Sequence, residues 1–306
     1  METILRRWSI ESCYNSMIIV RLAGGMGNQM FQYAAGNVLA MKNNVPLGLD
    51  TSFLLDRTPI PNFTFREYNL GEFNIDARVV KNKEVPFLYR HHFSGMLMRY
   101  GDYVRRKFFN SPGKERKEYS FDVRVLSLGP DAYLEGWWQN PAYFSDSREI
   151  LLKDFTLKHP SEKITRLVAD ISSEHSVCVH VRRGDYLGNT FHETVGVDYY
   201  KKAIETIATT RKIERIYVFD RDSIEWCEEN LLFDYPTRYI KNDISMAECL
   251  TLMKSCRHLV LANSSLSWWA GWLGNGQDKI VVAPKKWVND TSVNTEEVIP
   301  KEWIRI

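Results

Sequence analysis

Apolar and polar positions along the chain change period several times, and each change marks an element. Met17–Leu22 is an apolar run that fits a buried strand. Three glycines follow, and then Met30, Ala34, Val38 and Met41 recur at helical spacing, widened by Phe31 and Ala35. VPLGLD reads as a second short strand. Residues 51–130 are irregular, and KFFNSPGKERKEYS reads as an exposed charged loop around its Pro-Gly pair.

The second half is more regular. SVCVHV (176–181), RIYVFD (215–220), HLVLA (258–262) and KIVVAP (279–284) read as strands. Helices are predicted between them: 198–209 with Asp198 as N-cap, Ser223 to Leu231, and Ser245 to about Ser255 under a Ser245/Glu248 capping box. NSSLSWWAGWLG supplies a turn and a further helix. Strands alternating with helices imply parallel sheets covered on both faces. The expectation is α/β: residues 1–16 as an extension, 17–160 as one lobe and 161–306 as a second, facing across a cleft. Ligands should lie where strand carboxyl ends meet helix N-termini.

Composition narrows the function. At 306 residues with 44% hydrophobic and 25% charged, the chain can bury a large core without disulfide or metal. A net charge of +2 lacks the basic excess of a nucleic-acid binder. Cys13, Cys178, Cys227, Cys249 and Cys256 show no Cys-x-x-Cys spacing, so free thiols in a reducing, cytoplasmic setting are expected. No apolar run is long enough to span a bilayer, and peripheral membrane contact stays open.

Three segments carry chemistry. GGMGNQ places Gly24, Gly25 and Gly27 between strand and helix, where an anion can bind. Its spacing fails the dinucleotide fingerprint because Met30 stands at the third glycine position. Asn28 and Gln29 put two amides at the helix start, suited to sugar hydroxyls. HVRRGDY ends a strand with Arg182 and Arg183, which suit a phosphate, or else pair with Asp185. NSSLSWW brings Asn263, Ser264, Ser265 and Ser267 to a helix start, more polar groups than one cap needs. Trp268, Trp269 and Trp272 read as core.

Other signals are weaker. With 17 aspartates, about one Asp-x-Asp pair arises by chance, so Asp220 and Asp222 do not specify a metal site. Asp220 could still meet a base or ribose. Glu135, Trp137, Trp138, Gln139 and Asn140 cluster in LEGWWQN as aromatics beside amides, a carbohydrate platform or a half-buried turn. His91 and His92 lack ligand spacing to any partner. These residues favour an enzyme of nucleotide diphosphates. A dinucleotide oxidoreductase and a non-catalytic glycan binder are the readings from other classes.

The segments MIIVRLAGGMGNQMFQYAAG, LDTSF, LEGWWQ, HVRRGDY, LMKSCRHLVLANSSLSWWAGWL and PKKW together resemble the bacterial α-1,2-fucosyltransferases of glycosyltransferase family 11. They run in order from Met17 to Trp287. HVRRGDY is shared with α-1,6- and protein O-fucosyltransferases, so another linkage is the alternative. FDRDSIEW departs from the Ser-Asp-rich segment usual there. The resemblance implies a GT-B fold with two Rossmann-like lobes, GDP-fucose as donor, inversion and no metal or other cofactor. It implies donor binding by Gly25, Gly27, His180, Arg182, Arg183, Asp220, Asn263, Ser264, Ser265 and Ser267. Arg182, Asp185 and Asn28 would serve catalysis, with Asp185 and Glu135 as candidate bases. A galactose-terminated acceptor would meet Gln29, Glu135, Trp137, Trp138 and Gln139.

Overall fold

The computed structural model describes residues 16–56, 64–86, 89, 112–188, 194–274, 276, 278–290 and 292–306, without the Asp185 side chain. His91, His92, Cys13 and the first part of the charged loop lie outside these residues. Two compact units are present. The first comprises residues up to Tyr68 and Ile75–Leu151; the second comprises Asn69–Asn74 and Leu152–Ile306.

The first unit contains β1 (Ile18–Arg21), α1 (Met26–Asn43), β2 (Leu47–Asp50), the single turn α2 (Ser52–Leu55), β3 (Arg78–Val79) and β4 (Tyr133–Leu134), and α3 (Arg148–Asp154) runs across its boundary into the second. Its sheet has the order β3-β2-β1-β4, and every pairing is parallel. β1 and β2 are nearly all buried, as parallel strands covered on both faces must be. α1 stops at Asn44, which takes the left-handed conformation (φ 53°) and donates its N–H to the last turn.

The second unit contains α4 (Glu162–Ser173), β5 (Ser176–His180), α5 (Val197–Ala208), β6 (Arg215–Phe219), α6 (Ile224–Asn230), β7 (Thr237–Ile240), α7 (Met246–Ser255), β8 (His258–Val260), α8 (Ser265–Leu273), β9 (Val281–Ala283) and β10 (Ile304–Arg305). The six strands lie in the order β10-β9-β8-β5-β6-β7, again all parallel. The α/β class with parallel sheets is what the molecule shows. Val177, Val179, Ile216, Val218 and Val260 form the sheet's core with Tyr200, Ile204 and Ile207 of α5. α8 is buried almost all round, with Trp268 and Trp269 at 0% exposure. Trp268 satisfies its indole N–H on the Val298 carbonyl at 2.7 Å.

Several local expectations change. α5 begins at Val197 with Gly196 as its N-cap, and Asp198 sits inside the first turn, where a carboxylate still meets the positive end of the helix. Ser223 holds the N-cap position of α6 without a side-chain capping bond. The Ser245/Glu248 box forms with both of its bonds. α4 lies just past the expected 160/161 boundary, burying Ile164, Leu167 and Ile171 on one face, with Ser161 as cap. Phe73, from the excursion Asn69–Asn74, is fully buried and packs edge-on against Phe155 at 5.6 Å.

Candidate active-site residues

Strand order decides where each sheet opens. In the second unit the chain runs outward from β5 through β6 to β7, then returns beside β5 as β8. The loops leaving β5 and β8 therefore diverge and leave a crevice at their carboxyl ends. HVRRGDY follows β5, and NSSLSWW follows β8. In the first unit the chain runs from β1 through β2 to β3, then returns beside β1 as β4. The loops at that second switch point are GGMGNQ and EGWWQN. The three segments singled out for chemistry and the EGWWQN cluster thus leave the sheets at the two switch points, whereas Asp220 and Asp222 follow β6.

In the second unit the two loops are tied together. The Tyr186 hydroxyl donates to the Asn263 carbonyl at 3.1 Å. The Arg182 guanidinium lies 5.4 Å from the Tyr186 ring and 3.7 Å from Asp222. Arg183 instead stacks on Trp226 at 3.8 Å. The two arginines therefore have separate settings, and Arg182 lines a pocket. That pocket is open to solvent, has a cavity volume of about 40 Å³, and is bordered by His180, Asp220, Arg221, Lys241, Asn242 and Ser245. His180 is 5% exposed, and its Nδ1 has no hydrogen-bond partner among the described residues. Burial, with Arg182 nearby, pushes the His180 imidazole down to about 3, so it is neutral near pH 7.

Asp220 is buried and committed to its own turn. Its carboxylate accepts the Asp222 N–H at 3.1 Å and faces the Cys227 thiol at 3.7 Å. Burial raises it above the usual aspartate range. A Cβ on Gly184 would collide with the Asp222 side chain, so a larger residue there would have to displace that carboxylate from beside Arg182. Ser264 is the N-cap of α8 in extended conformation, yet its hydroxyl makes no capping bond. Ser265 is half-buried beside it. Ser267 departs from the expected cradle: it is fully buried, and its hydroxyl lies within bonding distance of the Ala262 and Ser264 carbonyls, at 2.8 and 3.0 Å. It is spent on the turn. Among the described residues no group of three or more His, Cys, Asp or Glu side chains is placed to hold a metal.

The first unit is bolted by amides. Gln32 accepts from the Ala23 N–H at 2.9 Å and donates to the Gly136 carbonyl at 3.1 Å, joining the two loops. Gln139 donates to Asn28 Oδ1 at 2.9 Å, which turns the Asn28 Nδ2 toward Gly24. Gly24 has φ +74°, and a Cβ there would crowd both Asn28 and the Trp137 ring. Below the turn, Arg21 pairs with Glu135 at 3.0 Å and Tyr133 donates to Asp50 at 2.6 Å. Glu135 is thereby held by an arginine, which weakens its case as a base.

Three expected acceptor contacts are buried instead, Gln139 among them with its amide on Asn28. Gln29 is fully buried and donates both amide hydrogens, to Gly24 and Glu67 carbonyls at 2.9 and 2.8 Å. Trp138 is fully buried in a left-handed conformation (φ 56°), packed edge-on against Tyr143. Trp137 and Asn28 remain half-buried. Sequence reasoning missed Gln32, Arg21 and Tyr133, whose roles appear only once β1, β2 and β4 are neighbours.

The sequence model of glycosyl transferase family 11 matches residues 8–306. The chain belongs to glycosyltransferase family 11. This family 11 chain is 30% identical over 300 residues to an alpha-1,2-colitosyltransferase of Escherichia coli, covering 95% of this chain and 99% of that one. It is 30% identical to the O-antigen biosynthesis glycosyltransferase WbnK of Escherichia coli, covering 93% and 99%. Galactoside alpha-(1,2)-fucosyltransferase 2 of Pongo pygmaeus is 25% identical, covering 86% of this chain and 71% of that protein. Among the described residues of this family 11 member, no helix is long and apolar enough to cross a membrane.

Proposed function

We propose that this family 11 glycosyltransferase moves L-fucose from GDP-fucose to the 2-hydroxyl of a terminal galactose, with inversion. The observation that carries the reading is that Arg182, on the loop after β5, and the start of α8, on the loop after β8, leave the sheet at one switch point, their loops tied by Tyr186 and Asn263. A cation and a helix start suit a diphosphate. The neighbouring pocket takes the nucleoside, where neutral His180, with an unused ring nitrogen, offers a hydrogen-bonding group to a base or ribose.

In the reaction the acceptor oxygen attacks the anomeric carbon as its bond to the β-phosphate oxygen breaks. The electron pair leaves with GDP, and the hydroxyl proton passes to a base or to solvent. Charge grows on the leaving diphosphate, so a preorganised Arg182 and the α8 N–H groups stabilise the transition state more than the ground state. With protein donors placed in this way, no metal need neutralise the leaving group. Asn28, fixed by Gln139, and the exposed side of Trp137 would meet the acceptor.

A second reading has a specific observation behind it. The full-length match to an alpha-1,2-colitosyltransferase favours the same linkage with a donor sugar lacking the 3-hydroxyl. Release of GDP from GDP-fucose and from GDP-colitose, across galactose-terminated glycans, separates the two. Linkage analysis of the product checks the 2-position. Equal turnover with a UDP-sugar, or a product with another linkage, would overturn the proposal.

A further inference from the structure

The charged loop that sequence reading placed in solvent folds back on EGWWQN. Glu115 donates its backbone N–H to the Glu135 carbonyl at 2.9 Å, and Glu135 returns a bond to Gly113 at 2.9 Å. This bridge brings the Glu115 carboxylate beneath the tryptophan pair. One of its oxygens accepts the Trp137 N–H at 2.6 Å, and the other accepts the Trp138 N–H at 3.2 Å. Glu118 accepts the Trp137 indole N–H at 3.1 Å. Gly136 lies so close that a Cβ there would overlap Glu115. Trp137 is therefore clamped at its backbone and at its ring, with the ring against the Gly24 turn beside Asn28.

We propose that Glu115 is a positioning residue for the acceptor sugar, holding the Trp137 indole at the angle from which it contacts the substrate. The inference rests on the reading that Trp137 belongs to the acceptor site. A structural carboxylate on the surface would be expected to ionise well below neutral pH. Burial pushes Glu115 up to about 7, Glu118 adds like-charge repulsion, and the two N–H donors oppose the rise. Lys114 and Arg116 flank it on its own segment, and Glu135 across the bridge is engaged by Arg21.

Two effects of opposite sign follow. The ionised carboxylate accepts both N–H groups, whereas the acid turns one oxygen into a donor and releases one of them. Acceptor binding should therefore improve as pH rises through about 7. Stability should move the other way. The folded value lies above the ordinary 4.5, so this group's contribution is full below 4.5 and is lost as pH rises through about 7. A carboxylate with only a structural part would not shape the acceptor KM profile.

The test measures acceptor KM with lactose and GDP-fucose from about pH 5.5 to about 8.5, together with tryptophan emission. Wild-type acceptor KM should fall about tenfold across the titration while donor KM stays level. Glu115→Gln should give a flat profile near the weak limit, since an amide accepts only one of the two bonds. An inflection near pH 7 that persists in Glu115→Gln overturns the proposal. So does a flat wild-type profile. If no galactose-terminated acceptor is turned over, the function fails, and emission decides Glu115 separately. A change centred near pH 7 that vanishes in both Trp137→Phe and Glu115→Gln upholds the clamp, and its absence in wild type refutes it.

Discussion

Replacing Arg182 by lysine separates leaving-group stabilisation from ordinary packing. The two contacts described above carry a small structural cost. Arg182 lies over Tyr186 at 5.4 Å, a contact worth about 0.5–1 kcal/mol. Its pair with Asp222 is long at 3.7 Å, and the carboxylate is 42% exposed, so solvent screening holds it to about 0–1 kcal/mol. Lysine keeps the charge and part of both contacts. Loss of stability should thus stay below about 2 kcal/mol, a melting shift of a few degrees for a unit of this size at about 2–4 °C per kcal/mol. The chemical cost is larger. A guanidinium grips two phosphate oxygens with a planar fork, and an ammonium cannot. Losing one preorganised donor to developing charge typically costs about 10²–10³ in rate. Melting temperature and kcat measured on one Arg182→Lys sample decide the matter. A folded variant with wild-type kcat would refute the reasoning and move attention to Arg183, despite its stacking on Trp226.

Three other outcomes are expected. Activity should survive EDTA, because Asp220 is engaged by its own turn; loss restored by manganese would return Asp220 and Asp222 to the site. His180 is held below its ordinary 6.5, so it adds full stability above 6.5 that is lost as pH falls toward about 3, at roughly 1.4 kcal/mol per pH unit. In thermal melts wild type should lose stability relative to His180→Leu as pH falls across that range, and parallel curves would contradict the assignment. Ser267→Ala should lower melting temperature by an amount corresponding to about 1 kcal/mol while sparing GDP affinity, whereas Ser265→Ala should weaken GDP binding in calorimetry. The reverse pattern would restore Ser267 to the ligand.

The sequence was most legible where burial or capping acts locally. β5 reads as a strand because all five residues are buried, and the Ser245/Glu248 box announces α7 within four residues. β7 escaped notice because Thr237, Arg238 and Tyr239 are not fully buried, so no apolar run marks it. α4 was hidden by its charges, although Ile164, Leu167 and Ile171 keep helical spacing. At the site, residue types announced the segments but not their direction. Gln29 looks outward in sequence, yet two carbonyls claim its amide. Trp138 turns inward because its backbone is left-handed. Glu115 and Glu118 carry no local signal at all, since the groups they hold lie about twenty residues on and meet them only through the bridge to Glu135.

The excursion Asn69–Asn74 bears on how the chain acquires its fold during synthesis. Phe73 is emitted long before Phe155, its buried partner, and β8 must join β5 after some eighty intervening residues. In the first unit β4 reaches β1 only after more than a hundred residues. Each switch point is completed by a strand made long after its neighbour, β4 in the first unit and β8 in the second, so a nascent chain carries neither crevice until late, and its central strands wait with open edges. A fragment beginning at residue 152 would lack Phe73 and leave an aromatic-sized void against Phe155. Dissection into independently expressed halves should follow the excursion, grafting residues 69–74 onto the second unit rather than cutting once.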